Sequence, residues 1–263
     1  MKKISKYFNH ICTQKYSSLG FSKNKSAFIR MRGDILQTFA LKCSHMAPTC
    51  SVTFGILPLC SPQPVYFDEG QYALNNFIIE VYDGWIFDSD SYESVMKCVE
   101  SILQAIDLYL MPLFERCYDC KTSLPELIKL DELFDRNRQT ILRLKGDSDL
   151  ADPWHERSLF DSRKYYMSLK AHDWSYARKY LNFKVDFYKK RIKSFDSPDS
   201  PKQPKSVIER FLAGLSLHLK LLESLESEDF APFDEMIRLN EIQMYKLLGR
   251  KFLEKQRIAG KEI

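Results

Sequence analysis

Cys117-Tyr118-Asp119-Cys120 is the stretch whose spacing most suggests reactive chemistry. Two thiols with two residues between them can be brought to one point, as in dithiol redox pairs and zinc knuckles. A redox pair needs a strand running through the motif into a helix, and that context is missing here. A zinc site needs a second pair of ligands. The nearest candidates, Cys43, His45 and Cys50, fall at the end of an expected strand and in its loop. The seven cysteines, Cys12, Cys43, Cys50, Cys60, Cys98, Cys117 and Cys120, are odd in number and irregularly spaced. They read as reduced thiols, mostly buried, with no metal and no cofactor.

The histidines His10, His45, His155, His172 and His218 have no motif partners. His172-Asp173 is the most suggestive pair, but Asp173 suits a helix N-cap and His172 the turn before it. His218 lies on the flank of a leucine stripe. The acidic clusters Asp68-Glu69 and Asp88-Ser89-Asp90 suit turns and helix starts, which attract carboxylates. No nucleophile elbow, phosphate loop, His-Glu-x-x-His or dinucleotide fingerprint occurs. No catalytic, cofactor-binding or metal-ligating residue is therefore assigned, and the chain is not expected to be an enzyme. A hydrolase assembled from distant segments is one alternative. The other rests on Lys184, Lys189, Lys190, Arg191 and Lys193, followed by Lys202 and Lys205. Interleaved with Phe183, Phe187 and Tyr188, this tract suits sequence-independent nucleic-acid binding, although a solvated helix face with buried aromatics explains it as well.

The elements that would position these residues follow from composition and periodicity. The 263 residues are 44% hydrophobic and carry a net charge of +4 from 39 basic and 35 acidic side chains. That is enough apolar material for an ordinary core and too little charge to mark a nucleic-acid or membrane partner. Polar residues interrupt what would be a signal-peptide core, and no run of eighteen apolar residues exists, so a cytoplasmic protein with no membrane contact is expected.

Ile4, Tyr7, Phe8, Ile11, Cys12 and Leu19 predict a helix over 2–19, with Gly20 at its end. Gly33-Asp34 between Ala27–Arg32 and Ile35–Cys43 predicts a tight hairpin whose Ile35/Gln37/Phe39 face meets that helix. Val52, Phe54 and Ile56 supply a third strand, and 77–81 with 85–87 an edge hairpin. Tyr92 to Leu110 reads as a helix. A second helix starts at a Ser123/Glu126 capping box and ends at Gly146, with a loop over 146–153. Residues 158–170 and a run from Trp174 to Ile192 predict a helical hairpin. Prolines 198, 201 and 204 mark a linker. Beyond it, Ile208, Leu212, Leu215, Leu219 and Leu222 define one helix and Phe233 to about Ala259 another, the pair expected to dock through that leucine stripe. The fold class is α+β: an N-terminal helix on a small antiparallel β-meander, followed by amphipathic helices and helical hairpins. The expected units are 1–122, a helical region 123–196, a Pro-rich linker 197–206 and a C-terminal helical pair 207–263.

Leu19-Gly20-Phe21-Ser22-Lys23-Asn24-Lys25, Phe28, Arg30, Gly33-Asp34 and Gln37 form an opening that resembles a bacterial family known only as a domain of unknown function. The likeness continues through Phe54-Gly55-Ile56 and Leu110-Met111-Pro112-Leu113-Phe114-Glu115, about the first half of the chain. It implies a shared fold and carries no catalytic residues with it. With catalytic motifs missing and paired amphipathic helices present, the expected role is protein binding or an accessory, immunity-type function. The expected partner is another protein, or a second copy of the chain.

Overall fold

The computed structural model describes residues 2–44, 46–62, 72–81, 83–145, 161–195 and 203–259. The expectations for His45, Asp68-Glu69, the 146–153 loop, His155, 158–160 and residues 196–202 of the linker lie outside them. The fold is α+β. Helix α1 (Lys2–Tyr16) precedes strands β1 (Ser22–Asn24), β2 (Ala27–Arg32), β3 (Ile35–Cys43), β4 (Thr49–Pro58), β5 (Tyr72–Ala73) and β6 (Trp85–Ile86). Helices α2 (Tyr92–Ala105), α3 (Met111–Arg116) and α4 (Cys120–Lys145) follow, then α5 (Ser162–Lys170), α6 (Trp174–Phe195), α7 (Lys205–Glu226), α8 (Ala231–Leu248) and α9 (Arg250–Ala259).

The sheet is antiparallel in the order β1-β2-β3-β4-β5, with β6 also on β4. Its register aligns Phe28, Phe39 and Phe54 in one row across three strands, and Arg30, Gln37 and Ile56 in the next on the same face. Helix α1 covers that face with Ile4, Phe8, Cys12 and Tyr16, four residues apart and all nearly inaccessible, so that one helical stripe does the packing. Phe28 and Phe39 stack at 5.1 Å, and Tyr16 meets Phe39 edge-on at 5.5 Å. The helix stops at Tyr16, earlier than the periodicity suggests, leaving Leu19 half-exposed.

The opposite face is also buried. Ala27, Ile29, Leu36, Ala40 and Leu59 pack with Met244 of α8, and Leu248 and Phe252 of α8 and α9 complete this second core. Strand β1 pairs with β2 only as far as Ser22↔Ile29. Where it ends, the Gln256 side chain takes over the edge: its Oε1 accepts from Met31 N at 2.8 Å and its Nε2 donates to the Gly20 carbonyl at 3.2 Å. An edge donor that would otherwise lack a partner is thereby satisfied.

Several expectations need correction. Residues 77–81 form no strand; Leu74–Phe77 and Ile79–Val81 are 3-10 turns, closed by Ile78 N to Asn75 O and Val81 N to Ile78 O. The edge of β4 is taken instead by β5 and β6, end to end. The helix from Tyr92 widens into a π turn over Ile106–Leu110, just before Pro112, which has no N–H to continue an α ladder. Helix α4 begins at Cys120, not at a Ser123 cap: Asp119 Oδ1 accepts from Thr122 N at 2.7 Å, and Thr122 Oγ1 accepts from Asp119 N at 3.2 Å. The last helix is broken at Gly249, which adopts φ +74° and ψ 153°, a region that only glycine occupies comfortably.

The leucine stripe of 208–222 carries the docking of α7 only in part: Leu222 packs on the core and Ile208 and Leu215 are half-buried. Leu212 and Leu219 are 48% and 43% exposed. The packed face is Phe211, Gly214, His218, Leu221 and Leu225, also at alternating spacings of three and four, and its main partner is α6 across the proline-bearing segment. Gly214 is there because a Cβ would lie 2.7 Å from the Tyr188 ring. Nothing lies within 4 Å of a Cβ at Gly249, so Gly249→Ala isolates backbone strain and should lower stability by about 1–2 kcal/mol in urea unfolding. An unchanged midpoint would show that the break between α8 and α9 needs no glycine.

Candidate functional site

The Cys117/Cys120 motif divides between two helices. Cys117 caps the end of α3 and Cys120 is the first residue of α4; both are nearly inaccessible. Their thiols part company: Cys117 meets Ser123, while Cys120 meets Cys60 of the loop after β4. Burial pushes the Cys117 thiol up to about 12, and contact with Cys60 together with burial pushes Cys120 up as well. Neither is a ready nucleophile at neutral pH. Among the described residues no group of three or more His, Cys, Asp or Glu side chains is arranged to hold a metal ion.

The opening over residues 19–37 resolves into a structural node. Arg30 is 2% exposed and its guanidinium donates to Gln37 Oε1 at 2.8 Å, to the Leu19 carbonyl at 3.0 Å and to Glu115 Oε1 at 2.9 Å, while lying over the Phe21 ring. Gln37 passes the connection on, its Nε2 donating to the carbonyls of Phe114 and Cys117 at 2.6 and 2.7 Å. Asp34 accepts from Cys120 N at 2.9 Å. A Cβ on Gly33, whose φ is +54°, would collide with the Tyr118 carbonyl oxygen. The motif thus clamps the β2–β3 hairpin to the α3–α4 junction, with each polar group matched to another, which is a holding role rather than a reactive one.

A second buried charge sits between α4 and α5. Lys164 is ion-paired with Asp131, which also accepts from the Tyr72 hydroxyl at 2.9 Å. Burial pushes the Lys164 ammonium down, to about 8, against the pull of the carboxylate. These three side chains tie three elements together.

The remaining sequence candidates also resolve structurally. Asp173 caps α6, accepting from Tyr176 N at 3.0 Å, and His172 takes the turn before it with φ +55°. His172 helps line a cavity of about 280 Å³ with Lys170, Asp234, Ile237, Arg238 and Glu241. Its ring makes an edge contact with Trp174 at 5.5 Å, and Lys170 is engaged with Glu241 at 2.7 Å. The cavity wall offers neither a hydroxyl nor a thiol, so it brings no nucleophile to the histidine. Asp88 and Asp90 form the turn into α2, with Asp90 N donating to Asp88 Oδ1. In the basic tract, Tyr188 and Phe195 pack against Phe211 of α7, while Phe187 touches the same ring but stays 36% exposed. His218 belongs to the same seam. Burial pushes its imidazole down, and its Nδ1 lies 2.7 Å from the Gly214 carbonyl.

The open surface is on the C-terminal helices. Helix α8 buries Phe233, Ile237, Asn240 and Met244 on its inner side, and Asn240 Nδ2 donates to the Cys60 carbonyl at 2.9 Å. Its outer side presents Leu239, Ile242 and Tyr245, from 39% to 46% exposed. Because Gly249 turns the chain, α8 and α9 leave a groove of about 710 Å³ between them, lined by Ile242, Tyr245, Lys246, Arg250, Leu253 and Glu254. Arg250 pairs with Glu254 at 2.8 Å and Arg238 with Glu235 at 2.7 Å. Lys246 has no acidic partner among the described residues. Sequence periodicity missed this surface because α8 is apolar on both sides, and only the sheet decides which side is covered.

No helix among the described residues is long and apolar enough to cross a membrane. No family model matches the chain, and no curated protein or solved structure is similar to it.

Proposed function

We propose that this chain is a non-enzymatic protein-binding module. Its docking site is the groove between α8 and α9, and its partner is a protein segment that presents apolar side chains flanked by carboxylates. The observation that carries this reading is the exposed row Leu239, Ile242 and Tyr245 beside a lysine without an acidic partner among the described residues. Leu239, Ile242 and Tyr245, three large apolar side chains spaced by three along one helix face, are more than scattered surface hydrophobicity, and such patches mark interaction sites. The charge around the groove selects the occupant. In an antiparallel pairing of two α8 helices centred on Ile242, Arg238 of one copy would face Lys246 of the other, whereas a partner carboxylate would meet Lys246 favourably. The nucleic-acid alternative is weakened because Tyr188 of the basic tract is packed into the α6–α7 seam, so its ring cannot stack on bases alongside Phe187.

The test compares proteins captured by the parent chain with those captured by Ile242→Asp, Tyr245→Asp and Lys246→Glu. All three sites are on the surface, so the melting temperature should hold. A single partner that is retained by the parent, lost with either aspartate and weakened by Lys246→Glu or by high salt supports the proposal. Capture that ignores all three substitutions overturns it. So does self-association of the parent that Ile242→Asp abolishes, which would make the occupant a second copy.

A further inference from the structure

The groove beside β6 contains a chemistry that the proposed docking role does not use. The sulfurs of Cys50 on β4 and Cys98 on α2 lie 3.8 Å apart although the residues are far apart in sequence. Cys98 forms part of the wall of a groove of about 580 Å³, together with Val81, Trp85, Ser94, Lys97 and Ser101. Cys50 lies behind it, 3% exposed, its thiol directed at the Trp85 carbonyl at 3.7 Å. Cys98 is itself only 6% exposed, but it borders the groove, and the inner thiol of Cys50 touches it.

We infer that Cys98 is a site of oxidation by hydrogen peroxide and that Cys50 captures the product as an internal Cys50–Cys98 disulfide. In the first step the Cys98 thiolate attacks a peroxide oxygen. An S–O bond forms and the O–O bond breaks, and the departing hydroxide takes a proton to leave as water. Sulfur is oxidised to the sulfenic acid and peroxide is reduced. In the second step the Cys50 sulfur attacks Cys98. The S–S bond forms and the S–O bond breaks, and the hydroxide leaves with the Cys50 proton as a second water. The sulfurs have about 1.8 Å to close to reach the roughly 2.05 Å of a disulfide. The Cys50 hydrogen can turn from the Trp85 carbonyl to the Cys98 sulfur. That contact with Cys50 outweighs burial and holds the Cys98 thiol below its ordinary range. Cys60 and Cys120, the other touching pair, are at most 1% exposed. The product would join α2 to β4 along the groove.

Peroxide treatment of the full chain, followed by intact mass and peptide mapping, tests this. The expected result is loss of two hydrogen atoms and a Cys50–Cys98 link that a reducing agent reverses. In Cys50→Ala, dimedone should instead label Cys98 as sulfenic acid. Should that variant fail to fold, native parent protein treated with iodoacetamide gives an independent reading, in which Cys98 is alkylated ahead of the other buried cysteines, Cys12, Cys50, Cys60, Cys117 and Cys120. An unchanged mass, a Cys60–Cys120 or Cys43–Cys50 link, or alkylation of one of those five buried cysteines first overturns the inference.

Discussion

Gly33→Ala is expected to destabilise the protein by about 3–5 kcal/mol, the sum of a positive-φ penalty and a collision with backbone that cannot rotate away. The φ of +54° at the first of two loop residues gives the turn its need for glycine. The larger effect comes from outside the hairpin, since a Cβ at Gly33 would fall on the Tyr118 carbonyl oxygen between α3 and α4. Gly249→Ala serves as the comparison: it has a positive φ and open space around it. Urea unfolding of both variants separates the two effects. If Gly33→Ala costs no more than Gly249→Ala, the contact with Tyr118 contributes nothing and the clamp is misassigned.

Arg30→Met is expected to cost about 3 kcal/mol. The substitution keeps much of the side-chain volume over Phe21 but leaves Gln37 Oε1 and the Leu19 carbonyl without their donor. Arg30→Lys should recover only part of this, because one ammonium cannot reach three acceptors arranged around a planar guanidinium. The same cluster sets an acid limit. Burial works to raise the Glu115 carboxyl, but Arg30 and Arg32 outweigh it and hold it below the usual carboxylate range. A lowered folded-state value means that stabilisation is complete above the ordinary glutamate range and is lost as pH falls through the folded value. Melting temperatures of the parent should therefore fall on acidification below about pH 4.3, and this fall should shrink in Arg30→Met. An equal acid dependence in the two proteins would remove Arg30 from the network.

The β2–β3 hairpin was legible in the sequence because its information is local: one glycine, a two-residue loop and alternating apolar runs fix the pairing of Arg32 with Ile35. The burial of the far face was not expected from the sequence, although Ala27, Ile29, Leu36 and Ala40 have the apolar character of a sheet buried on both sides. What could not be read was the identity of the cover, because Met244 and Gln256 lie some two hundred residues further on. The α7 stripe misled for a different reason. Gly214 and His218 make the packed face look weaker than the leucine face, and only the Tyr188 ring explains the glycine. The Cys50–Cys98 pair carries no spacing signal, since strand register and helix placement alone bring the sulfurs together. The α8–α9 groove likewise depends on the left-handed turn at Gly249, where an unbroken helix was the simpler reading.

The long return of α8 and α9 to the first sheet has a consequence for synthesis. At ordinary elongation rates of roughly 5–20 residues per second, the ribosome needs about 10–40 s to travel from Leu59 to Gln256. Throughout that interval Ala27, Ile29, Leu36, Ala40 and Leu59 have been made, but the side chains that cover them have not. The Met31 amide also stands at an open strand edge until Gln256 arrives. A nascent chain with an uncovered apolar face and an unpaired edge is a substrate for holding chaperones, and in their absence for edge-to-edge pairing between neighbouring chains. The yield of correctly folded molecules should depend on how quickly the last helices are delivered, independently of how stable the finished protein is.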